Sequence, residues 1–377
     1  MKTAELTLSE RTDLAIDWFL NSGIQSEDGG FYAWQDVKDG SHPYLYSEIT
    51  GYAITLMSFL YTLTKNDIFI ERARHAAQWI LQDAPGPGGS VLTRKYLKDA
   101  VEHYSFERGN IYSFDCAMVA FGMLKLYKIS ADEDYLACAQ NLIGFLNNKM
   151  LKNSGLYYPV FDTKKESPYE DLNKWSTQSG SFHAKIVLCL CELASIKNDN
   201  SYSDLASKLI DSSIKNFYRA GRFITGAPDG TSHFHPYCYT LEGMLYYSHK
   251  LKNDRYKSVI ESAFNWICDF QQEDGGFPTE VFDKGKMSVA YQRSDIQSQV
   301  LRLSYFIASD IDRECLIERF LKFQNIDKGS QGGFLFGADR DGTARQHSNA
   351  WCSMFALQAL YLASGKAESD IIMDYLV

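Results

Sequence analysis

The sequence predicts an all-α protein in which six helical hairpins close into a ring. Apolar residues recur at helical spacing along nearly all of the 377 residues, and strand-like alternation is sparse. The helices also alternate between two kinds. One kind has an apolar stripe and a charged face, as in IERARHAAQWIL at 70–81, and the other is almost apolar all round, as in AWCSMFALQALYLA at 350–363. Because a helix with so little polar surface has to be covered on most sides, we expect the apolar kind to form an inner ring and the amphipathic kind an outer ring.

Each predicted helix has its place in this alternation. An inner helix leads to the next outer helix through one to three residues, which requires antiparallel neighbours. An outer helix leads to the next inner helix through roughly 17 to 31 residues. The outer helices are predicted at 8–22, 67–83, 132–149, 201–217, 254–271 and 312–324, the inner helices at 46–64, 112–130, 181–197, 235–251, 293–309 and 347–364, and a final helix that packs back over the closure at 367–376.

Several of the long segments open with paired glycines, which allow the positive φ of a tight turn after a helix. The pairs occur in EDGGF at 27–31 and 273–277, in QGGF at 331–334, and at 88–89. No segment rich in proline or serine divides the chain, so we predict a single domain spanning 1–377.

The composition excludes several classes of function. A net charge of −9 and a pI of about 5.4 argue against nucleic-acid binding, which needs a basic face. The chain has no apolar run of about 18 residues, so no membrane span is expected. Its N-terminal segment lacks the apolar region of a secretory signal, which favours a cytoplasmic protein. The eight cysteines are scattered without a CxxC, and GxSxG, phosphate-loop and GxGxxG motifs are lacking, so we expect neither a metal nor another cofactor. The sequence leaves the oligomeric state open.

The long connections place the six inner-helix N-termini on one rim, around a central cavity. Polar residues recur at these starts, where unpaired N–H groups also favour anions. Each has a structural alternative: carboxylates stabilise first turns, and a histidine can belong to the core. A metal site at His233 and His235 lacks a third local ligand. The candidates are Tyr46, Glu48, Asp115, His183, His233, His235, Tyr239, Glu242, Arg293, Asp295, Arg345, His347, Asn349 and Trp351.

This pattern resembles the (α/α)6 toroid, and in hairpin count, length and acidic residues at inner-helix starts it resembles the six-hairpin glycosidase-like superfamily. Unsaturated uronyl hydrolases and N-acylglucosamine 2-epimerases are similar in size. The Arg345, His347, Asn349 and Trp351 run resembles the sites of toroid polysaccharide lyases. QQEDGGF at 271–277 resembles the repeat of terpene cyclases, but a DxDD run is lacking. No family signature is complete, so no catalytic list is carried over whole.

The resemblance implies a carbohydrate-active enzyme that binds a sugar or a uronate-containing glycan in the cavity. The leading interpretation is a glycoside hydrolase in which Asp115 is the acid/base and Glu48 or Asp295 its partner. The alternative is a sugar epimerase or polysaccharide lyase. Proton transfer would then fall to His347 and His235, with Tyr239 as a further candidate, and Arg293 or Arg345 would neutralise the acid. A toroid that only binds a glycan or a prenyl or terpenoid ligand is the non-enzymatic alternative.

Overall fold

The computed structural model describes residues 6–97, 109–226, 230–282, 287–289, 291–327, 331–339 and 341–377. The α-helices of these segments follow the predicted order. They are α1 (Leu8–Asn21), α2 (Ser47–Thr64), α3 (Asp67–Gln82), α4 (Ser113–Ser130), α5 (Glu133–Phe145), α6 (Val187–Lys197), α7 (Asn200–Phe217), α8 (Phe234–Leu251), α9 (Lys257–Cys268), α10 (Ser294–Phe306), α11 (Arg313–Leu321), α12 (Ala350–Ala363) and α13 (Ser369–Asp374). A π-helical turn at Leu146–Met150 extends α5, and a 3₁₀ helix at Ser181–Ile186 leads into α6.

The even-numbered helices from α2 to α12 form a closed inner ring. Each packs against the next, and α12 returns to pack against α2. Each inner helix also packs against an outer partner, from α2 with α3 round to α12 with α1. The inner helices are buried over most of their length, whereas the outer helices bury only one face. The two predicted kinds of helix are therefore confirmed as the two layers of the ring.

The short connections reverse the chain within a few residues. Helices α2, α4, α6 and α8 each end at a residue in the left-handed region, with φ between 51° and 55°. A side-chain N-cap then begins three of the four following outer helices, which satisfies a backbone N–H that the first turn leaves free. The left-handed residues are Lys65, Ala131, Asn198 and Lys252, and the N-caps are Asn66, Asp132 and Asp199.

Six glycines explain how the long connections attach to the outer ring. Each has a positive φ in the turn after one outer helix and lies against the next outer helix. A Cβ on Gly29 would lie 2.2 Å from the carbonyl oxygen of His75, and one on Gly332 would lie 2.0 Å from that of Leu14. Because Leu14 is in α1, the last turn closes the outer ring on the first helix. The other contacts are Gly89 with Asn141, Gly155 with Ser212, Gly221 with Ser262 and Gly275 with Cys315.

The long connections also contain short antiparallel strands, which the helical pattern of the sequence did not predict. Strand β1 pairs with β13, which joins the first long connection to the last. Because β13 extends to Asn349, the last inner helix begins at Ala350 rather than at the predicted residue 347. The sheets have the orders β1-β13-β12, β11-β10-β9, β2-β3, β4-β5-β6 and β7-β8. The strands are β1 (Trp34–Asp36), β2 (Tyr44–Tyr46), β3 (Arg94–Tyr96), β4 (Asn110–Tyr112), β5 (Val160–Asp162), β6 (Ser167–Tyr169), β7 (Tyr218–Arg219), β8 (Arg222–Phe223), β9 (Ser232–His233), β10 (Glu280–Val281), β11 (Met287–Val289), β12 (Leu335–Ala338) and β13 (Ala344–Asn349).

The end of the ring opposite the long connections is closed by α13 and by buried charges. Tyr375 accepts a hydrogen bond at its hydroxyl from Thr62, at the C-terminal end of α2. Nearby, the fully buried Glu192 carboxylate lies 2.8 Å from Nζ of Lys125 and 2.5 Å from Nζ of Lys250. Among the described residues, these contacts cover the end of the ring opposite the rim that carries the inner-helix N-termini. Within the described segments, no helix is both long enough and apolar enough to cross a membrane.

Candidate active site

A cavity of about 380 Å³ opens at the rim where the inner helices begin. Its walls come from all six long connections or the helix starts that follow them, so residues far apart in sequence face one space. Eight of the predicted residues line it: Tyr46, Glu48, Asp115, His233, His235, Tyr239, Arg293 and Trp351. The other lining residues are Tyr44, Ile49, Arg94, Tyr112, Phe114, Asn173, Lys174, Trp175, Ser176 and Phe182.

Glu48 and Asp115 form a carboxyl pair on one wall. They lie in the first turns of α2 and α4, and both line the cavity, where each carboxyl group influences the pKa of the other. Burial and the neighbouring Glu48 charge raise the pKa of Asp115 well above its ordinary value. Burial also raises the pKa of Glu48, although Tyr46 and Lys185 oppose this effect. Of the two carboxyl groups, Asp115 therefore holds a proton more readily than Glu48.

His235 lies across the cavity, in the first turn of α8, which is opposite α2 in the ring. Its Nδ1 is 2.8 Å from Oε1 of Gln299 and 3.3 Å from Oδ2 of Asp295. Both oxygens are acceptors, so Nδ1 carries the proton and Nε2 carries the lone pair. Burial lowers the pKa of His235 to about 4, against the attraction of Asp295. The imidazole is therefore neutral at physiological pH and has one basic nitrogen.

Asp295 supports this wall from behind and does not itself line the cavity. Arg293 donates to both of its oxygens, one bond being 3.2 Å from Nε to Oδ1, and Trp351 donates from its indole N–H at 3.3 Å. Burial alone would raise the pKa of Asp295, but Arg293 and His235 outweigh burial and hold it below the ordinary value. Asp295 is therefore an anion that orients its neighbours.

His233 is held by a second buried carboxylate. It faces Glu280 across the β9–β10 pair, and its Nδ1 lies 2.8 Å from Oε2 of Glu280. The His233 side chain is 23% exposed, while that of Glu280 is 1% exposed. Two histidines on this wall thus direct Nδ1 into the protein.

Aromatic rings complete the walls. The guanidinium of Arg94 lies 4.8 Å from the ring centres of both Tyr44 and Tyr46. Trp175 packs edge-on against His235, with ring centres 5.8 Å apart. Such rings can stack on the apolar faces of sugars, while the charged groups between them can bind hydroxyls. Burial raises the pKa of Tyr239 well above its ordinary value, so its phenol stays protonated.

Six of the predicted residues do not line the cavity. Asp295 is one of them and lies directly behind the lining residues, and the other five lie farther from the cavity or in other contacts. His347 is packed against Trp34, with ring centres 4.7 Å apart, because it belongs to β13 and its side chain enters the loop core. Arg345 pairs with Asp339. Asn349 is the N-cap of α12 and accepts from the backbone N–H of Cys352.

The remaining two, His183 and Glu242, are buried in the inner ring. Nε2 of His183 lies 3.3 Å from Oγ of Ser113, and burial lowers its pKa to about 3, as for a neutral core histidine. Glu242 lies between Lys185 at 2.8 Å and Arg302 at 2.6 Å. None of these five residues lines the cavity, so the structure gives no support to their predicted contact with a substrate.

The sequence missed residues that reach the site from outside the inner-helix starts. Arg94 comes from a strand, Asn173 and Lys174 from a loop, and Gln299 from the second turn of α10. Of these residues, only Gln299 could have been found from the helical spacing of the sequence, since it lies one helical turn after Asp295 on the same face of α10. In the described parts of the chain, no group of three His, Cys, Asp or Glu side chains is arranged to hold a metal ion.

No protein-family model matches the sequence, and no curated protein sequence matches it. Solved structures nevertheless share the fold. A sugar epimerase from a ruminal bacterium matches 96% of this chain and 99% of its own, with a TM-score of 0.77 and 15% identity. The cellobiose 2-epimerase of Bacillus thermoamylovorans matches 94% and 99%, with a TM-score of 0.74 and 15% identity. The unsaturated glucuronyl hydrolase of Bacillus sp. GL1 matches 95% and 97%, with a TM-score of 0.65 and 13% identity. The chain therefore has the (α/α)6 toroid fold that it shares with these solved structures, as predicted.

Proposed function

We propose that the protein is a sugar epimerase or isomerase that moves a proton at the carbon next to the carbonyl of a reducing sugar. The observation that carries the proposal is the state of His235. Its Nδ1–H is engaged by Gln299 at 2.8 Å, so the neutral ring has its lone pair on Nε2 at the cavity wall. A neutral, oriented imidazole is the common general base of such proton transfers.

The carboxyl pair supplies the complementary acid. In the proposed reaction, Nε2 of His235 removes the proton from C2 of the open-chain sugar, and the C–H electron pair moves into an enediolate. Asp115 then donates its proton to the other face of C2, which re-forms the C1 carbonyl and gives the epimer. Alternatively, it donates to C1 while the proton of the C2 hydroxyl passes to the C1 oxygen, which gives the ketose. His235 is left protonated and the pair has lost one proton, so both are reset by exchange with water. His235 on α8 and Asp115 on α4 line the cavity from two inner helices that are not neighbours in the ring, which suits their action on two faces of one carbon.

The state of the carboxyl groups favours proton transfer over glycoside hydrolysis. A hydrolase needs one protonated carboxyl as acid and one ionised carboxyl as nucleophile or base. Burial raises the pKa of both Glu48 and Asp115, so it disfavours the ionised form of either carboxyl. Asp295, the other proposed partner, is engaged by Arg293 and Trp351. The shared fold with the two epimerases agrees with the proposal, although the glucuronyl hydrolase shares that fold as well.

The test is incubation with a panel of reducing sugars, namely aldohexoses, N-acetylhexosamines, hexuronates and β-linked disaccharides. Products are followed by NMR and by mass. The proposal predicts a new epimer or ketose of unchanged mass from at least one member. Addition of water to an unsaturated or intact disaccharide would instead support hydrolysis and overturn the proposal, as would no conversion of any member at high enzyme concentration.

Two variants connect the activity to the site. His235→Gln should lower kcat by about 10²–10⁴-fold, because a positioned general base contributes roughly that much. His249→Gln is the matched control, since His249 lies near Asp374 at the opposite end of the ring. Equal activity of the two variants would remove His235 from the proposed mechanism.

A further inference from the structure

We propose that Gln299 is a positioning residue that holds His235 in the tautomer with its proton on Nδ1, so that Nε2 faces the cavity as the base. The inference deepens the proposed function and rests on it for the identity of the reaction. The orientation of the ring itself is a separate claim that can be measured without substrate.

The contact is direct and closed to water. Gln299 is fully buried, and its Oε1 is 2.8 Å from Nδ1 of His235. An amide oxygen can only accept, so this contact requires a hydrogen on Nδ1.

The orientation of the Gln299 amide is set in turn by a charge. Its Nε2 donates to Oε1 of Glu242 at 3.4 Å. The same Glu242 oxygen accepts a 2.6 Å bond from Arg302, and the other oxygen is 2.8 Å from Nζ of Lys185. With its NH₂ directed to a carboxylate that two cations hold in place, Gln299 can only turn its carbonyl oxygen toward His235. A line of buried contacts thus runs from the ion pairs of the inner ring to the cavity wall.

The acceptor for Nδ1–H of His235 is the neutral amide of Gln299, which favours the cationic form of the ring less than a carboxylate would. The charged and titratable groups around His235 are Asp295 and Arg293 from α10 and its N-terminus, and Glu242 and Tyr239 from its own helix. Asp295 lies farther from Nδ1 than Gln299 does, 3.3 Å against 2.8 Å, and Arg293 and Trp351 compensate its charge. Gln299 therefore fixes the tautomer without making the ring cationic, which a base needs at neutral pH.

The experiment measures the tautomer and pKa of His235 by ¹⁵N NMR on the full-length protein with labelled histidine. The His235→Gln variant assigns the signal. The wild type should show the Nδ1–H tautomer and a pKa of about 4. In Gln299→Met, Nδ1–H loses the acceptor that raises the pKa of His235 and keeps only the more distant Asp295, so the pKa should fall further and the Nε2–H tautomer should become populated. Gln299→Asn, whose amide is one methylene too short, should shift it in the same direction and keeps a polar group if the Met variant folds poorly.

The matched control is Gln297→Met. Gln297 is also a buried glutamine of α10, but it bonds to the backbone of Phe277, so His235 should titrate as in the wild type. An Nε2–H tautomer in the wild type, or an unchanged pKa and tautomer in both folded Gln299 variants, overturns the positioning role. If the NMR result holds and no sugar is converted, the proposed reaction fails while the role of Gln299 in orienting the ring stands. In an active enzyme, the acid limb of the kcat profile of the Gln299 variants should move to lower pH together with the His235 pKa.

Discussion

The carboxyl groups of Glu48 and Asp115 shift each other's pKa although they belong to two different inner helices. Helices α2 and α4 come unusually close at two glycines just beyond the pair. A Cβ on Gly122 would lie 2.5 Å from the carbonyl oxygen of Gly51, and one on Gly51 would lie 2.8 Å from the backbone of Val119. The close approach of these helices positions the pair.

Gly122→Ala should therefore destabilise the protein by about 1–3 kcal/mol, the usual cost of overpacking a core. It should also separate the two carboxyl groups and lower activity. Gly144→Ala is the control, because a Cβ on Gly144 of α5 meets no atom within 4 Å. That substitution should be neutral or stabilise by up to about 1 kcal/mol through helix propensity. Urea unfolding of both variants checks the prediction, and equal stabilities would contradict the close approach.

Asp115→Asn should abolish most of the activity while making the fold more stable at neutral pH. The folded-state pKa of Asp115 is raised, so the folded protein holds a proton that the unfolded chain releases above pH of about 4. The contribution of this group to stability is fully present below that pH and is lost as pH rises toward the folded-state pKa. Asparagine does not ionise, so the variant avoids this loss of unfolding free energy. The loss is on the order of 1 kcal/mol for each pH unit by which the folded-state pKa exceeds the unfolded-state pKa.

The pH dependence of unfolding gives the measurement. The stability gap between Asp115→Asn and the wild type should widen as pH rises from about 4 toward the folded-state pKa. Asp171→Asn is a control at an exposed aspartate, where the gap should stay small. A gap that narrows over the same range is incompatible with a raised pKa.

The variant His347→Gln tests whether His347 takes part in catalysis, as the sequence predicts, or only packs in the loop core, as its position in the structure indicates. Because His347 packs between Trp34 and Phe336 and lies outside the cavity lining, its replacement should leave KM close to the wild-type value. The lost ring contacts should cost about 0.5–1.5 kcal/mol of stability. Steady-state kinetics and thermal unfolding check this pair of outcomes. A loss of kcat as large as that of His235→Gln, in a variant of near-normal stability, would return His347 to the site.

Glu192→Gln should destabilise the closed end of the ring by about 3–5 kcal/mol, because it leaves buried lysines without their counter-charge. Burial alone would raise the pKa of Glu192, but Lys125, Lys250 and Lys128 lower it to about 2. Its contribution is therefore present above the unfolded pKa of about 4.3 and is lost as pH falls toward 2. The difference from the wild type should shrink over that range in acid unfolding curves.

Glu261→Gln is the exposed counterpart, since Glu261 lies 3.9 Å from Lys257 on the surface of α9. Its removal should cost less than about 0.5 kcal/mol at any pH. Similar losses from both glutamates would show that the buried network contributes no more than a surface pair.

The helices were predictable from sequence because burial in two layers imposes two different hydrophobic patterns. The strands were not, since segments of two to six residues such as Glu280–Val281 are too short for alternation to stand out. At the site, Glu48 and His235 were found because they begin inner helices. Arg94 and Glu280 come from strands inside the long connections. These strands are too short for a hydrophobic repeat to indicate the direction of a side chain. The packing of His347 was not predictable for the same reason, because it belongs to β13 and its side chain packs against Trp34.

The central claim is that His235 removes a proton from a carbon of the sugar and that the Glu48–Asp115 pair returns one. The most direct measurement is deuterium uptake by a converted sugar in heavy water, read at C2 and C1 by NMR and by mass. We predict solvent deuterium at C2 of an epimer or at C1 of a ketose, with the sugar otherwise intact. The rate of deuterium uptake should fall in the His235→Gln variant. Turnover without deuterium on carbon, with water added across a glycosidic bond, would contradict the central claim.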